Sequence, residues 1–127
     1  KALEIATEHY ENESAYIKEL KGYMMEQLQK HIEGVEFNCP GSGETLYTVL
    51  SACFPKTDKS EMLLFSLDMN NICASGGSAC SSGADAGSHV IKALNKGNSH
   101  VTVRFSFSKY NTKAEIDTVV QKLKELI

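Results

Sequence analysis

Nowhere in these 127 residues do Lys and Arg gather into a block, and at 13 they are outnumbered by 16 Asp and Glu. A net charge of −3 without a basic stripe excludes a nucleic-acid footprint. No apolar run reaches the length of about eighteen residues that a membrane-crossing helix needs, so no transmembrane segment is expected. The amino terminus lacks a basic stretch followed by an apolar core and a small-residue cleavage site, so it carries no visible secretory signal. The four cysteines, at 39, 53, 73 and 80, form no Cys-x-x-Cys pair. With no sign of export they are read as reduced thiols in the cytoplasm. Cys53 and Cys73 stand in apolar runs, where a free cysteine behaves as a small hydrophobe. An initiator Met is missing too: the chain starts Lys1-Ala2-Leu3-Glu4-Ile5, already in a helical pattern, and reads as a piece of something longer.

What is present suffices for one folded domain, residues 1–127, with 42% hydrophobic residues. Leu3, Ala6, Tyr10, Ile17, Leu20, Met24 and Leu28 recur at steps of three and four, predicting a long helix over residues 3–32. At 1.5 Å per residue it spans about 45 Å, too long to lie wholly over a small domain. Residues 1–33 are therefore expected to lead towards another part of the protein, with a helix bent at Gly22, or two helices, as the alternative. Gly34 ends this helix, and Val35-Glu36-Phe37 is a short strand. A loop at Cys39-Pro40-Gly41-Ser42-Gly43 and a buried strand from Tyr47 to Phe54, closed by Pro55, follow.

Asp58 and Glu61 have capping-box spacing and open a helix to about Asn70, whose inward face is read as Met62, Leu63, Phe65, Leu67 and Met69. Ile72-Cys73-Ala74 is a further short strand. Ser88 caps a helix through Leu94. From Val101 to Phe107 the alternation is clean: Val101, Val103, Phe105 and Phe107 point one way, Thr102, Arg104 and Ser106 the other. Thr112 and Glu115 form a capping box before a last helix with Ile116, Val119, Val120 and Leu123 inward. This order predicts a small mixed, mainly antiparallel sheet covered by helices, an α/β (α+β) two-layer sandwich.

Between Ser75 and Ser88 stand five Ser, four Gly, three Ala, one Asp and Cys80, with no large apolar residue to fix the segment. The stretch reads as a long loop carrying one accessible thiol, suited to nucleophilic chemistry because thiols are strongly nucleophilic even when mostly protonated. An incidental surface cysteine is the competing reading. Arg104, on the polar face of its strand, can bind a carboxylate through two parallel hydrogen bonds, or can be a solvated arginine. His89 and His100 lack the spacing of metal ligands, so no metal is expected. Ser78 has no base placed for a hydrolase, and the glycines do not open a helix as a phosphate loop does.

Taken together, Ser75-Gly76-Gly77-Ser78-Ala79-Cys80-Ser81-Ser82, Ser88-His89-Val90-Ile91-Lys92-Ala93-Leu94 and Val103-Arg104-Phe105-Ser106-Phe107 resemble the carboxy-terminal small domain of cysteine desulfurases. The resemblance is to the long-loop, iron–sulfur-assembly type, within the class V aminotransferase family. Thr112-x-x-Glu115-Ile116-Asp117-x-Val119-Val120 fits the same pattern. The resemblance implies the small domain of a fold-type I pyridoxal-phosphate enzyme that takes sulfur from L-cysteine. The products are L-alanine and a persulfide on Cys80. It implies Arg104 as the residue that holds the substrate carboxylate, and a sulfur-acceptor or iron–sulfur scaffold protein as partner. It also implies a cytoplasmic homodimer in full length.

Two departures stand out. Gly76 replaces a common Ser, which is expected to loosen the loop. Asp85-Ala86-Gly87 replaces the usual Leu-Glu-Pro. The lysine segment that holds pyridoxal phosphate is absent and belongs to a large domain before residue 1, so this piece is expected to be inactive alone. The alternatives are a small domain of a related pyridoxal-phosphate lyase or aminotransferase, and a stand-alone sulfur-carrier or docking module.

Overall fold

The computed structural model describes residues 1–38, 45–76, 93 and 100–127. Helix α1 runs unbroken over Ala2–His31, so Gly22 does not divide it into two helices. Its buried residues are Ser14, Ile17, Leu20, Lys21, Met24 and Leu28. The first half of the predicted stripe does not reach the core: Leu3 and Tyr10 are exposed, and the helix projects beyond the sheet it covers. The helix stops at His31, its Ile32 cap already extended. Gly34 follows in the left-handed region, at φ +74°, and turns the chain into β1 (Glu36–Phe37).

Strands β1, β2 (Val49–Pro55) and β3 (His100–Ser106) form a three-stranded sheet in that order, antiparallel throughout. The register pairs Leu50 with Phe105, Ala52 with Val103 and Phe54 with Val101. Directly opposed residues share a face, so these six line one side. That side meets Leu20, Met24 and Leu28 of α1 in a single core. The alternation read from residues 101–107 is thus the observed one.

A short 3-10 turn, Ser60–Met62, leads into α2 (Leu63–Met69). Neither element has a side-chain hydrogen bond from its N-cap residue, Lys59 or Met62. Instead Ser60 Oγ donates to the Thr57 carbonyl at 2.8 Å and accepts from the Thr57 amide at 2.9 Å. Only Leu63 and Leu67 of α2 are buried; Met62, Phe65 and Met69 face out, contrary to the reading of that helix. Its end is a Schellman turn: Ile72 N–H donates to Leu67 O and Asn71 N–H to Asp68 O, with Asn71 left-handed at φ 59°.

Helix α3 (Lys113–Leu126) starts with the expected capping box between Thr112 and Glu115 and buries Ile116, Val120 and Leu123. A polar seam ties it and the preceding turn to α1. Tyr16 donates to the Asn111 carbonyl and Tyr23 to Asp117, both at 2.7 Å. Lys109 pairs with Glu13 at 2.7 Å and Lys113 with Glu19 at 2.6 Å. The loop expected at 39–43 lies outside the described residues, as does the helix from Ser88 apart from residue 93.

Candidate functional site

The face of the sheet turned away from the helices carries the odd-numbered residues of β2 and the even-numbered residues of β3. One row of polar side chains crosses it. Asn38, just past β1, donates its backbone N–H to Ser51 O at 2.9 Å and its side-chain Nδ2 to Ser51 Oγ at 3.2 Å. Ser51 lies opposite Arg104 on β3. Arg104 is bridged in turn to Ser75 on its far side. The row is therefore Asn38, Ser51, Arg104, Ser75, one residue from each of four adjacent stretches of chain. Beside it stands Cys53, fully buried, its Sγ 3.5 Å from Thr102 Oγ1.

Arg104 is exposed, as its place in the alternation predicts. Its backbone is fixed from both edges. β2 flanks one side, while on the other Arg104 N–H donates to Ser75 O at 2.6 Å and Ser75 N–H donates to Arg104 O at 3.1 Å. The guanidinium Nε–H donates to Ser75 Oγ at 3.1 Å. Neither Nη group has a hydrogen bond or an ion pair with any described residue. The arrangement offers a planar cation, held at one corner by a neutral hydroxyl, with two donors turned to an incoming group. A carboxylate is the ligand that suits such a fork.

The strand expected at Ile72-Cys73-Ala74 does not form; pairing with β3 is confined to the single bridge at Ser75. The chain leaves the Asn70–Asn71 turn too far from the end of β3 to pair, and a cavity of about 430 Å³ fills the wedge. Asn71, Cys73, Phe105, Phe107 and Ile116 are among its lining residues, and Arg104 and Ser75 are not. Cys73 is consequently exposed, not the buried hydrophobe its neighbours suggest, whereas Cys53 is buried as expected.

At Gly76 the absence of a side chain has a steric consequence. A Cβ there would stand 3.3 Å from the Thr102 carbonyl and 2.5 Å from Leu64 Cδ1. The glycine lets the chain pass close over β3 as it leaves the bridge.

Of the residues singled out in the sequence, Arg104 is on the open face and His100 begins β3. Cys80, Ser78 and His89 lie outside the described residues. Ser75 and Asn38 were missed as site residues. The signal for Ser75 is register: in an antiparallel pair the hydroxyl opposite an arginine shares its face, but the partner of a lone bridge is not legible before the fold is known. Among the described residues no group of His, Cys, Asp and Glu could hold a metal ion, and no helix is long and apolar enough to cross a membrane.

Residues 1–119 match the family described as aminotransferase class-V. A cysteine desulfurase of Trichormus variabilis is 44% identical over 71 residues, covering 54% of this chain and 18% of that relative. The mitosomal cysteine desulfurase of Encephalitozoon cuniculi is 30% identical over the whole chain, which covers 29% of it. Among solved structures, a NifS-like protein from Rickettsia africae superposes with a TM-score of 0.78 at 23% identity, over 96% of this chain and 31% of that one. This last likeness concerns the fold. The chain spans less than a third of the length of each of these proteins.

Proposed function

Since the chain belongs to the aminotransferase class-V family, we propose that it is the small domain of a cysteine desulfurase, a longer enzyme that moves sulfur from L-cysteine to an acceptor. Cys80 is the sulfur-accepting nucleophile and Arg104 the carboxylate-binding residue. In the net reaction, the Cys80 sulfur bonds to the sulfur of L-cysteine, whose carbon–sulfur bond breaks. The freed carbon gains a proton and leaves as the methyl group of L-alanine, while Cys80 is left as a persulfide. An acceptor protein, of the kind that builds iron–sulfur clusters, then takes the outer sulfur.

The observation that carries the reading is the Ser75–Arg104 bridge. It roots the segment leading to Cys80 on the strand that bears the arginine. Five residue steps separate Ser75 from Cys80, so the Cys80 Cα lies at most about 18 Å from that root whatever path the residues between them take. A guanidinium whose Nη groups are unpaired among the described residues, and a nucleophile tethered to the same root, are the two groups that this chemistry asks of the domain.

The described residues do not form a site for pyridoxal phosphate, the cofactor usual in this family. Lys21 is the buried lysine among them, and its Nζ is engaged by the Leu46 carbonyl at 2.9 Å and Thr45 Oγ1 at 3.2 Å. The cofactor is assigned to the part of the enzyme outside this chain, and the domain alone is expected to be inactive. In the full-length enzyme Cys80→Ala should abolish persulfide formation and sulfide release while the cofactor's absorbance stays intact. Sulfide release at the wild-type rate would remove Cys80 from the mechanism.

A further inference from the structure

We propose that Ser75 is the positioning residue of the Arg104 guanidinium, fixing it for end-on capture of the substrate carboxylate. The inference rests on the reading of Arg104 as the carboxylate-binding residue and says how that residue is aimed. An exposed arginine has several rotatable bonds, and ordering such a side chain on binding costs affinity. Here the Nε–H is held at 3.1 Å by Ser75 Oγ. Ser75 cannot wander, because its own backbone is tied to Arg104 through N–H and C=O alike.

Two consequences follow from the chemistry of the guanidinium. It can meet a carboxylate side-on, through Nε and one Nη, or end-on, through both Nη groups. With Nε engaged, the end-on mode remains. The holder is also a neutral hydroxyl. An Asp or Glu in its place would orient the guanidinium equally well but would neutralise it, and the incoming carboxylate would then meet a preformed ion pair. Ser75 orients the cation and leaves its charge for the ligand. The same residue is where the Cys80 segment leaves the sheet, so the carboxylate anchor and the root of the nucleophile's tether share one fixed point.

The test uses the full-length, cofactor-loaded enzyme and measures by titration calorimetry the binding of two amines that carry no sulfur to transfer: L-alanine, which has the carboxylate, and ethylamine, which lacks it. Ser75→Ala should weaken L-alanine binding about tenfold, the effect of one hydrogen bond to a charged group. Ethylamine binding should not move. Ser75→Thr, which keeps the hydroxyl, should restore L-alanine affinity, and Arg104→Ala should lose more than Ser75→Ala. If Arg104→Ala weakens L-alanine and Ser75→Ala does not, the positioning role fails and the reading of Arg104 stands. If neither variant matters, the reading of Arg104 fails and takes Ser75 with it. Equal loss for both ligands, or no rescue by Thr, makes Ser75 a structural residue and overturns the proposal.

Discussion

Two glycines, Gly22 within α1 and Gly34 between α1 and β1, should respond to the same substitution with opposite signs. Gly34 holds φ +74°, and a Cβ built on it stands 3.0 Å from Cγ of Pro55. The left-handed conformation costs an L-residue roughly 1–2 kcal/mol. The proline ring adds to that, since it belongs to β2 and cannot turn aside as the end of a flexible side chain can. Against this, alanine restricts the unfolded chain and returns about 0.4–1 kcal/mol. The balance puts Gly34→Ala at about 1–2 kcal/mol destabilising. Gly22 lies at an exposed position of α1 with open space around its would-be Cβ. There the helix gains alanine's propensity, and Gly22→Ala should stabilise by about 0.5–1 kcal/mol. Urea unfolding of the 127-residue chain, followed by circular dichroism, reads both as shifts of the midpoint at constant slope. A Gly34→Ala chain as stable as the wild type would refute the claim that backbone sign and the Pro55 ring together require glycine there.

The seam between α1 and α3 should weaken in alkali. Tyr23 is raised above the ordinary tyrosine range chiefly by its hydrogen bond to Asp117, and Lys109 and Lys113 above the lysine range by theirs to Glu13 and Glu19. A raised folded-state pKa means stability that is whole below the ordinary value of about 10 and lost as pH climbs through the raised one. The melting temperature should therefore fall between about pH 9.5 and 11.5, less steeply in Tyr23→Phe, and identical profiles would exclude a contribution from that phenol. Lys21→Met keeps the apolar stem but strands Thr45 Oγ1 and the Leu46 carbonyl. It should cost about 1–3 kcal/mol in the same urea assay, and an unchanged midpoint would show that the ammonium's two bonds contribute nothing net.

Where the sequence was informative, periodicity had a polar side to set its phase. Residues 101–107 alternate strictly and fold as read, and Thr112 with Glu115 caps α3 as their spacing implies. Along α2 the same logic had nothing to work with. Met62, Leu63, Leu64, Phe65, Leu67 and Met69 are apolar almost all round, so the composition could not say which side turns inward. The fold buries only the pair spaced by four, Leu63 and Leu67. The short strand at 72–74 failed for a different reason. Its apolar residues suit a strand, but the Schellman turn at Asn70–Asn71 sets the direction in which the chain departs, and that direction meets β3 only at Ser75. A local turn overrode a three-residue propensity, and Cys73 was left exposed as a result.

The candidate site divides along the same line. Arg104 was legible because a strand's alternation places a charge on one face. Cys80 reads in the sequence only as a thiol in a stretch with nothing to bury; it lies outside the described residues, and the role proposed for it comes from resemblance. What neither composition nor spacing could supply was their connection. Asn38, Ser51, Arg104 and Ser75 come from four separate stretches, yet they form one row because antiparallel register brings opposed residues to a common face. Three of the four are neutral hydrogen-bonding side chains. Ser75 hydrogen-bonds the guanidinium and orients it without cancelling its charge, at the place where the chain sets out towards Cys80, the proposed nucleophile. A surface arginine kept for solubility would need no such row. An arginine whose flanking hydroxyl is itself locked by two backbone hydrogen bonds presents its guanidinium in a fixed place, which is what the proposed carboxylate capture requires.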